Sequence, residues 1–142
     1  PLKGELRLIS CSFNKSKFLL NWDRAKNEDN LILVEGPFDC LHVDLRGYGA
    51  VASLGKIISQ DQISLILKSK ANKVYLGLDP DAIDEVHEVI SKIGLSKSLF
   101  RITPPEHRKD FGECDFKEVE EALKNAIPVT HKSDFLEVFL KE

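Results

Sequence analysis

The chain has 142 residues, of which 42% are hydrophobic and 30% charged, and its net charge at pH 7 is -3. This length suits one domain with its own core, and the small negative charge gives no overall attraction to nucleic acid. No apolar run approaches the roughly 18 residues of a membrane span, and no basic and apolar leader is present, so we expect a cytoplasmic protein. Because the sequence begins at Pro1 and contains no Met, we expect it to be a domain of a larger protein.

The three cysteines, Cys11, Cys40 and Cys114, indicate neither a disulfide framework nor a zinc site, because their number is odd and no CxxC spacing occurs. We expect reduced thiols that pack as small hydrophobic side chains. The four histidines likewise share no spacing that is typical of a metal site.

Residues 1–30 are predicted to form a segment that precedes the core. An alternating patch at residues 6–10 favours a strand, and residues 17–26 favour either a short strand or a helix. A polar turn at residues 27–30 separates this segment from the strong strand pattern that follows.

From Leu31 onwards, strand and helix patterns alternate, which is typical of a parallel sheet with helices on its faces. Four strands are predicted, at residues 31–35, 50–54, 73–78 and 99–103. Helices are predicted after the first three strands, at residues 38–46, 60–71 and 83–93. The predicted fold class is therefore α/β, with a four-stranded, mainly parallel sheet and helices on both faces.

Two further helices are predicted after the fourth strand. A pair of prolines ends that strand, and a polar loop leads to a helix at residues 116–125, which Pro128 ends. A last short helix would begin after Ser133 as its N-cap. We expect these helices to cover or extend the α/β core.

Acidic residues follow two of the predicted strands. Glu35 directly follows the first strand, with Asp39 one turn into the next helix, and Asp79 and Asp81 follow the third strand. Ligands in open α/β sheets bind outside the carboxyl ends of the strands, so we expect these acids to converge. Carboxylates at close range oppose one another's ionisation, and a divalent cation removes that cost. A ligand set of oxygens alone suits Mg²⁺ or Mn²⁺.

Phosphoryl transfer fits such a site, because metal ions align and neutralise phosphates while a carboxylate accepts a proton. Each acid taken alone is also typical of a solvated turn, and Asp81 could simply be the N-cap of the following helix. The paired arrangement on two strands favours the metal site.

Residues 31–103 resemble a TOPRIM domain, the module shared by DnaG-type primases, type IA and type II topoisomerases and certain nucleases. The family pattern is an acid after the first strand and Asp-x-Asp after the third, which fall on Glu35 and on Asp79 with Asp81. Within the family, VEGPFD, VASLG, SQDQ and LGLDPDA follow the order seen in bacterial and phage DNA primases. The resemblance implies a Rossmann-like core at residues 31–103, followed by a loop and a helical extension at residues 104–142.

Outside this core, the KDFGE sequence at residues 109–113 resembles the Lys-Asp-Pro-acid loop that follows the module in primases. This likeness implies that Asp110 is another acid on the metal side. Pro80 and residues 82–84 depart from the primase pattern, which commonly has Gly between the two aspartates and Arg-Ala-Gly after them.

The resemblance implies the catalytic segment of a primase-like DNA replication protein, a nucleotidyltransferase that makes RNA primers on single-stranded DNA from nucleoside triphosphates. Glu35 would be a metal ligand or the general base for the primer 3′ hydroxyl, and Asp79 and Asp81 would hold the metal ions on the incoming nucleotide. A replicative helicase is a further expected partner. Two alternatives stay open: a nuclease that uses the same acids to activate water, and a non-catalytic module for binding or scaffolding.

Basic residues near the acids are candidates for contacts with phosphates. The candidates are Lys17 and Arg24 before the core, Lys56 after the second strand, and Arg101, Arg108 and Lys109 near the fourth strand and its loop. Trp22 with Phe13 and Phe18 favours core packing, with a base-stacking platform as the alternative.

Overall fold

One five-stranded sheet runs through the computed structural model, which describes residues 15–45, 47–55, 57–78 and 89–129. The strands are β1 (Asn30–Val34), β2 (Tyr48–Ala52), β3 (Lys73–Gly77), β4 (Ser98–Arg101) and β5 (Ile127–Val129). Their order in the sheet is β2-β1-β3-β4-β5. The first four are parallel, and β5 runs antiparallel to β4. The predicted α/β class is confirmed.

The sheet has one strand more than the four that the sequence predicts. All four predicted strands are present, and β5 occupies a place where the sequence indicated only the end of a helix at Pro128. A strand of three residues is too short to show an alternating pattern. Its proline lacks a backbone N–H, and an edge strand tolerates that loss.

Strand β1 explains why the sheet has a core on each face. Leu31 and Leu33 belong to one hydrophobic cluster, whereas Ile32 and Val34 belong to the other, and all four side chains are fully buried. Burial on both faces is typical of a central parallel strand. It produces the continuous apolar run that makes this strand easy to predict.

The helices cover both faces, as predicted. They are α1 (Trp22–Ala25), α2 (Pro37–Val43), α3 (Gln60–Lys68) and α4 (Phe116–Lys124), and residues 89–93 are also helical. The buried side chains of α3 join the first cluster, and those of α2 and α4 join the second. The predicted strand at residues 6–10, the start of the predicted helix at 83–93 and the helix after Ser133 lie outside the described residues. No helix of the described ranges has the length and apolarity that a membrane span requires.

Gln62 ties the segment before the core to the sheet. It forms the capping box that begins α3: its backbone N–H donates to the Ser59 hydroxyl over 3.1 Å, and its Oε1 accepts from the Ser59 N–H over 3.0 Å. Its Nε2 donates to the carbonyls of Phe18 and Ser53, at 2.8 and 3.0 Å. One buried amide thus connects three parts of the chain.

The cysteines confirm the packing prediction where they are described. Cys40 and Cys114 are free thiols, 2% and 6% exposed, and both pack in the second cluster. Burial is the main cause that raises the pKa of Cys40 to about 12 and that of Cys114 to about 11. Cys11 lies outside the described residues.

Candidate active site

The metal site is predicted at the carboxyl ends of β1 and β3, and these two ends lie side by side. Strands β1 and β3 pair in parallel with Val34 opposite Gly77, so Glu35 and Leu78 leave the sheet at the same level. Asp79 is the next residue along the chain. Asp79, Asp81 and Lys56 themselves lie outside the described residues.

A hydrogen bond from the residues that follow the neighbouring strand β2 holds the backbone of Glu35. Its carbonyl accepts a hydrogen bond of 2.8 Å from the N–H of Leu54, just after β2. Leu54 has a φ of 64°, a left-handed conformation that is uncommon for a residue with a side chain. Such conformations persist only where the surroundings enforce them, and they cluster at functional sites.

Asp39 lies in the first turn of α2, which begins with Pro37 at a position where its missing N–H costs nothing. Its Oδ1 accepts a hydrogen bond of 2.7 Å from the backbone N–H of Gly112. Gly112 belongs to a 3₁₀ turn at Phe111–Glu113 that packs against α2. The carboxylate therefore fixes the loop after β4 to the helix after β1.

Asp110 lies beside Asp39, as their shared neighbour Gly112 shows. A Cβ atom built on Gly112 would be 3.1 Å from Oδ1 of Asp110 and 3.2 Å from Oδ1 of Asp39. The fold thus brings together two of the predicted metal residues that are 71 positions apart in the sequence. Apart from its place in KDFGE, nothing in the sequence indicated that Gly112 contacts these two acids.

The predicted basic residues divide between two cavities. Lys109 lines a cavity of about 240 Å³ together with Asp39 and Asp110. Lys17 and Arg24 line a separate cavity of about 430 Å³. The predicted basic residues therefore lie in two places: Lys109 is beside the described acids, and Lys17 and Arg24 are in the segment before the core.

The segment before the core is held by ion pairs and apolar packing. Arg24 forms ion pairs with Asp44 and, over 3.5 Å, with Glu28. Trp22 packs against the first hydrophobic cluster, in agreement with the predicted core packing. For Phe18, on the wall of the larger cavity, the core-packing prediction is wrong, because its side chain is 37% exposed. Phe13 lies outside the described residues.

The loop after β4 is anchored to α4 by Glu118. The Nε of Arg108 donates to both carboxylate oxygens, at 3.0 and 3.1 Å, and Nε2 of His107 lies 2.9 Å from Oε2. Oε1 also accepts the N–H of Asp115 in the capping box of α4, over 3.0 Å. This backbone hydrogen bond, followed by that from Arg108, lowers the pKa of Glu118. The same ion pair raises the pKa of Arg108.

The chemistry of the predicted ligands fits a hard divalent cation. Glu35, Asp39 and Asp110 offer oxygen donors, and Mg²⁺ needs only one or two carboxylates in addition to water and phosphate. Within residues 15–45, 47–55, 57–78 and 89–129, no three or more His, Cys, Asp or Glu side chains are grouped so that they could hold a metal ion.

A protein-family model matches the centre of the chain. Residues 30–83 match the family model of the Toprim domain. The centre of the chain is thus similar to Toprim domains. The matched segment contains β1, β2 and β3 and the sequence positions of Glu35, Asp39, Asp79 and Asp81.

Solved structures of DnaG primases share the fold of this chain. A DnaG primase catalytic domain bound to ssDNA is 25% identical, with a TM-score of 0.64, and the match covers 90% of this chain and 44% of that one. The E. coli primase catalytic core is 23% identical, with the same TM-score and coverage. The RNA polymerase domain of Mycobacterium tuberculosis primase DnaG is 18% identical, with a TM-score of 0.65 and coverage of 82% and 43%.

This chain spans less than half the length of each of these structures. A search of curated proteins gave no match.

Proposed function

We propose that this chain is the Toprim catalytic segment of a primase-like DNA replication protein, which makes RNA primers on single-stranded DNA from nucleoside triphosphates. The observation that carries the proposal is the extent of the likeness to DnaG primases. It covers 82–90% of the chain, whereas the Toprim match covers only residues 30–83. One of these primase structures is bound to ssDNA, which supports a single-stranded template. A replicative helicase is a further proposed partner.

Glu35, Asp79 and Asp81 are the proposed catalytic residues. Glu35 would ligate the metal or accept the proton of the primer 3′ hydroxyl, and the two aspartates would hold metal ions on the phosphates of the incoming nucleotide. When bound, Mg²⁺ or Mn²⁺ would supply alignment and charge neutralisation to the phosphates. The parallel exits of β1 and β3 support this assignment, because they carry Glu35 and the chain leading to Asp79 out of the sheet together.

Asp39 and Asp110 are proposed to complete the metal side of the site. Their carboxylates flank Gly112, so both belong to the same rim of the cavity beside β4. The hydrogen bond from Gly112 to Oδ1 of Asp39 also holds the loop that carries Asp110. Asp39 would thus act both through its charge and as a positioning residue.

The basic residues are proposed to contact nucleic acid and nucleotide in two groups. Lys109 lies beside the described acids, whereas Lys17 and Arg24 line the larger cavity before the core. Lys56 follows β2 in the sequence and is proposed as a further phosphate contact. Contacts of this kind are largely independent of base sequence and weaken as salt is added.

Primer synthesis is the direct test. The chain is incubated with a single-stranded template, labelled ribonucleotides and Mg²⁺ or Mn²⁺, and cleavage of single- and double-stranded DNA and RNA is measured in parallel. We expect synthesis that is lost in Asp79→Asn and retained in Asp61→Asn, because Asp61 is exposed at the start of α3 and lines neither cavity. Cleavage without synthesis would favour the nuclease.

Calorimetric titration with Mg²⁺ and Mn²⁺ tests the metal site separately. We expect Asp79→Asn to weaken metal binding about tenfold or more, which corresponds to at least 1.4 kcal/mol, and Asp61→Asn to leave it unchanged. Unchanged metal binding in Asp79→Asn would show that the acid is wrongly assigned. Binding of DNA with neither synthesis nor cleavage would favour the non-catalytic module.

A further inference from the structure

The side chain of Gln62 carries two hydrogen-bond donors that the start of α3 does not use. A capping box needs only the backbone N–H and a side-chain oxygen of its third residue, and Glu serves there as well as Gln. The Nε2 atom of Gln62 nevertheless donates to two backbone carbonyls, that of Phe18 at 2.8 Å and that of Ser53 at 3.0 Å. A carboxylate in the same place would bring negative charge against both carbonyl oxygens. The amide is therefore suited to these two carbonyls rather than to the cap alone.

The amide of Gln62 is fixed in one orientation. Both of its N–H groups have acceptors, and its oxygen accepts the Ser59 N–H over 3.0 Å, so a flipped amide would face donors with donors. Gln62 and Ser53 are only 1% and 2% exposed. Hydrogen bonds are stronger in such a setting, and a buried network in which every member has a partner specifies one arrangement. The Ser53 carbonyl is therefore held firmly against α3.

The loop after β2 connects this carbonyl to the end of β1. The Ser53 N–H donates to the Val34 carbonyl over 3.1 Å, and the Leu54 N–H donates to the Glu35 carbonyl over 2.8 Å. The Ser53 hydroxyl closes the loop with a 2.7 Å hydrogen bond to the carbonyl of Gly55. The loop thus contacts α3 through one carbonyl and the end of β1 through two N–H groups.

A single peptide group makes the connection between Gln62 and Glu35. The carbonyl that accepts from Gln62 and the N–H that donates to Glu35 belong to the planar, trans peptide between Ser53 and Leu54, so they point in opposite directions. Leu54 has a φ of 64°, a conformation that persists only where the surroundings enforce it. Without the Gln62 donor, this peptide can rotate to relax that conformation, and its N–H then leaves the Glu35 carbonyl.

We propose that Gln62 is a positioning residue for Glu35, acting through the peptide group between Ser53 and Leu54. The same amide holds the Phe18 carbonyl, so it also sets the distance between this loop and the segment before the core. The inference rests on the proposed function, in which Glu35 ligates the metal or accepts the proton of the primer 3′ hydroxyl. It adds a residue that acts through the backbone rather than through contact with the metal or the nucleotide.

Hydrogen exchange in Gln62→Met tests the restraint directly, since methionine has nearly the same length and no N–H donors. Ile66→Ala is the matched control, because Ile66 is fully buried on the same helix and its truncation lowers stability without removing the hydrogen bond to Ser53. Exchange of the Leu33 N–H in the central strand reports global unfolding in each variant. We expect the Leu54 N–H to exchange about tenfold faster in Gln62→Met than in Ile66→Ala.

Mn²⁺ affinity by calorimetry and kcat for primer synthesis test the consequence for the site. Glu35→Gln shows which of the two quantities depends on Glu35. In that quantity we expect Gln62→Met to cause about a fivefold loss in the wild-type background and less than about a twofold loss in the Glu35→Gln background. Ile66→Ala should cause no loss in either background. A purely structural role of Gln62 would not produce this difference, because a loss of stability does not depend on the side chain at position 35.

Ser53→Ala decides the outcome if circular dichroism shows that Gln62→Met does not fold. This milder variant removes the hydrogen bond to the Gly55 carbonyl from the same loop and otherwise keeps the shape of the side chain. We expect a loss of about twofold in the quantity that depends on Glu35, and no loss in the Glu35→Gln background.

The inference and the proposed function can fail separately. Equal Leu54 exchange in Gln62→Met and Ile66→Ala, or equal losses with and without Glu35, would overturn the inference. Primer synthesis that depends on Glu35 and is unaffected by Gln62→Met would also remove the positioning role alone. Faster Leu54 exchange in Gln62→Met, in a chain that makes no primers and in which neither quantity depends on Glu35, would leave the restraint in place and remove the proposed function.

Discussion

The backbone N–H of Gly112 donates a 2.7 Å hydrogen bond to Oδ1 of Asp39, which lies 73 positions earlier in the chain. This bond joins the helix after β1 to the loop after β4. It also places Gly112 between the carboxylates of Asp39 and Asp110. The geometry of the acids thus depends on a residue with no side chain.

Gly112→Ala should weaken metal binding more than it weakens the fold. The added Cβ would lie 3.1 and 3.2 Å from the two carboxylate oxygens, so the carboxylates must shift. We expect Mn²⁺ affinity to fall roughly fivefold, or about 1 kcal/mol, with a smaller change in the free energy of unfolding. Calorimetry and urea unfolding measure the two quantities.

Gly47→Ala is a control that should lower stability and leave metal affinity unchanged. Gly47 has a φ of +87°, and nothing lies within 4 Å of the place that an alanine Cβ would take, so its substitution strains the backbone without touching the acids. We expect a loss of about 1–2 kcal/mol in stability and no change in metal affinity. Equal metal affinity in Gly112→Ala and the wild type would contradict the positioning role of Gly112.

Gln62→Ala should be among the most destabilising polar substitutions in the described part of the chain. It removes the side-chain acceptor of the Ser59 N–H and leaves the carbonyls of Phe18 and Ser53 without their amide donor. A buried polar group that loses its partner costs about 1–3 kcal/mol, so we expect a total loss of about 3 kcal/mol in urea unfolding. Gln60→Ala, at an exposed position in the same helix, should change stability by less than about 0.5 kcal/mol. A similar loss in both variants would show that helix propensity, rather than the buried amide, is responsible.

Cys40 and Cys114 should resist alkylation in the folded chain. Burial raises their pKa values to about 12 and about 11, so little thiolate is present at pH 8. We expect iodoacetamide to label each at least about a hundredfold more slowly than in denaturant, as followed by peptide mass spectrometry. Equal rates in the folded and unfolded chain would contradict their burial.

Glu118→Gln should remove a pH-dependent part of the stability. The folded pKa of Glu118 lies below its ordinary 4.5, so the carboxylate contributes stability above that value and loses it as the pH falls through the lowered pKa. Glutamine can keep the capping hydrogen bond but not the charge beside Arg108 and His107. The difference in melting temperature between the wild type and Glu118→Gln should therefore shrink from about pH 6 to about pH 3. Glu121→Gln, an exposed position on the same helix, is the control, and an equal trend in both variants would point to net charge instead.

The elements with strong local signals could be predicted from the sequence. The apolar run of β1 and the Ser59–Gln62 capping box identify a buried strand and a helix start, and both are present. The contact between Asp39 and Gly112 could not be predicted, because it depends on how α2 and the loop after β4 pack. The same holds for the division of the basic residues between two cavities, since sequence order does not give distance in the fold.

Strand β5 has a consequence for how this domain meets its neighbours. Among the described strands it lies at the border of the sheet, it has three residues, and Pro128 at its centre, opposite Phe100, cannot donate a hydrogen bond. A short edge with a proline is a poor template for an incoming strand from another molecule. We therefore expect this border of the sheet to resist self-association and aggregation, so that the sheet does not extend from one copy of the chain to the next.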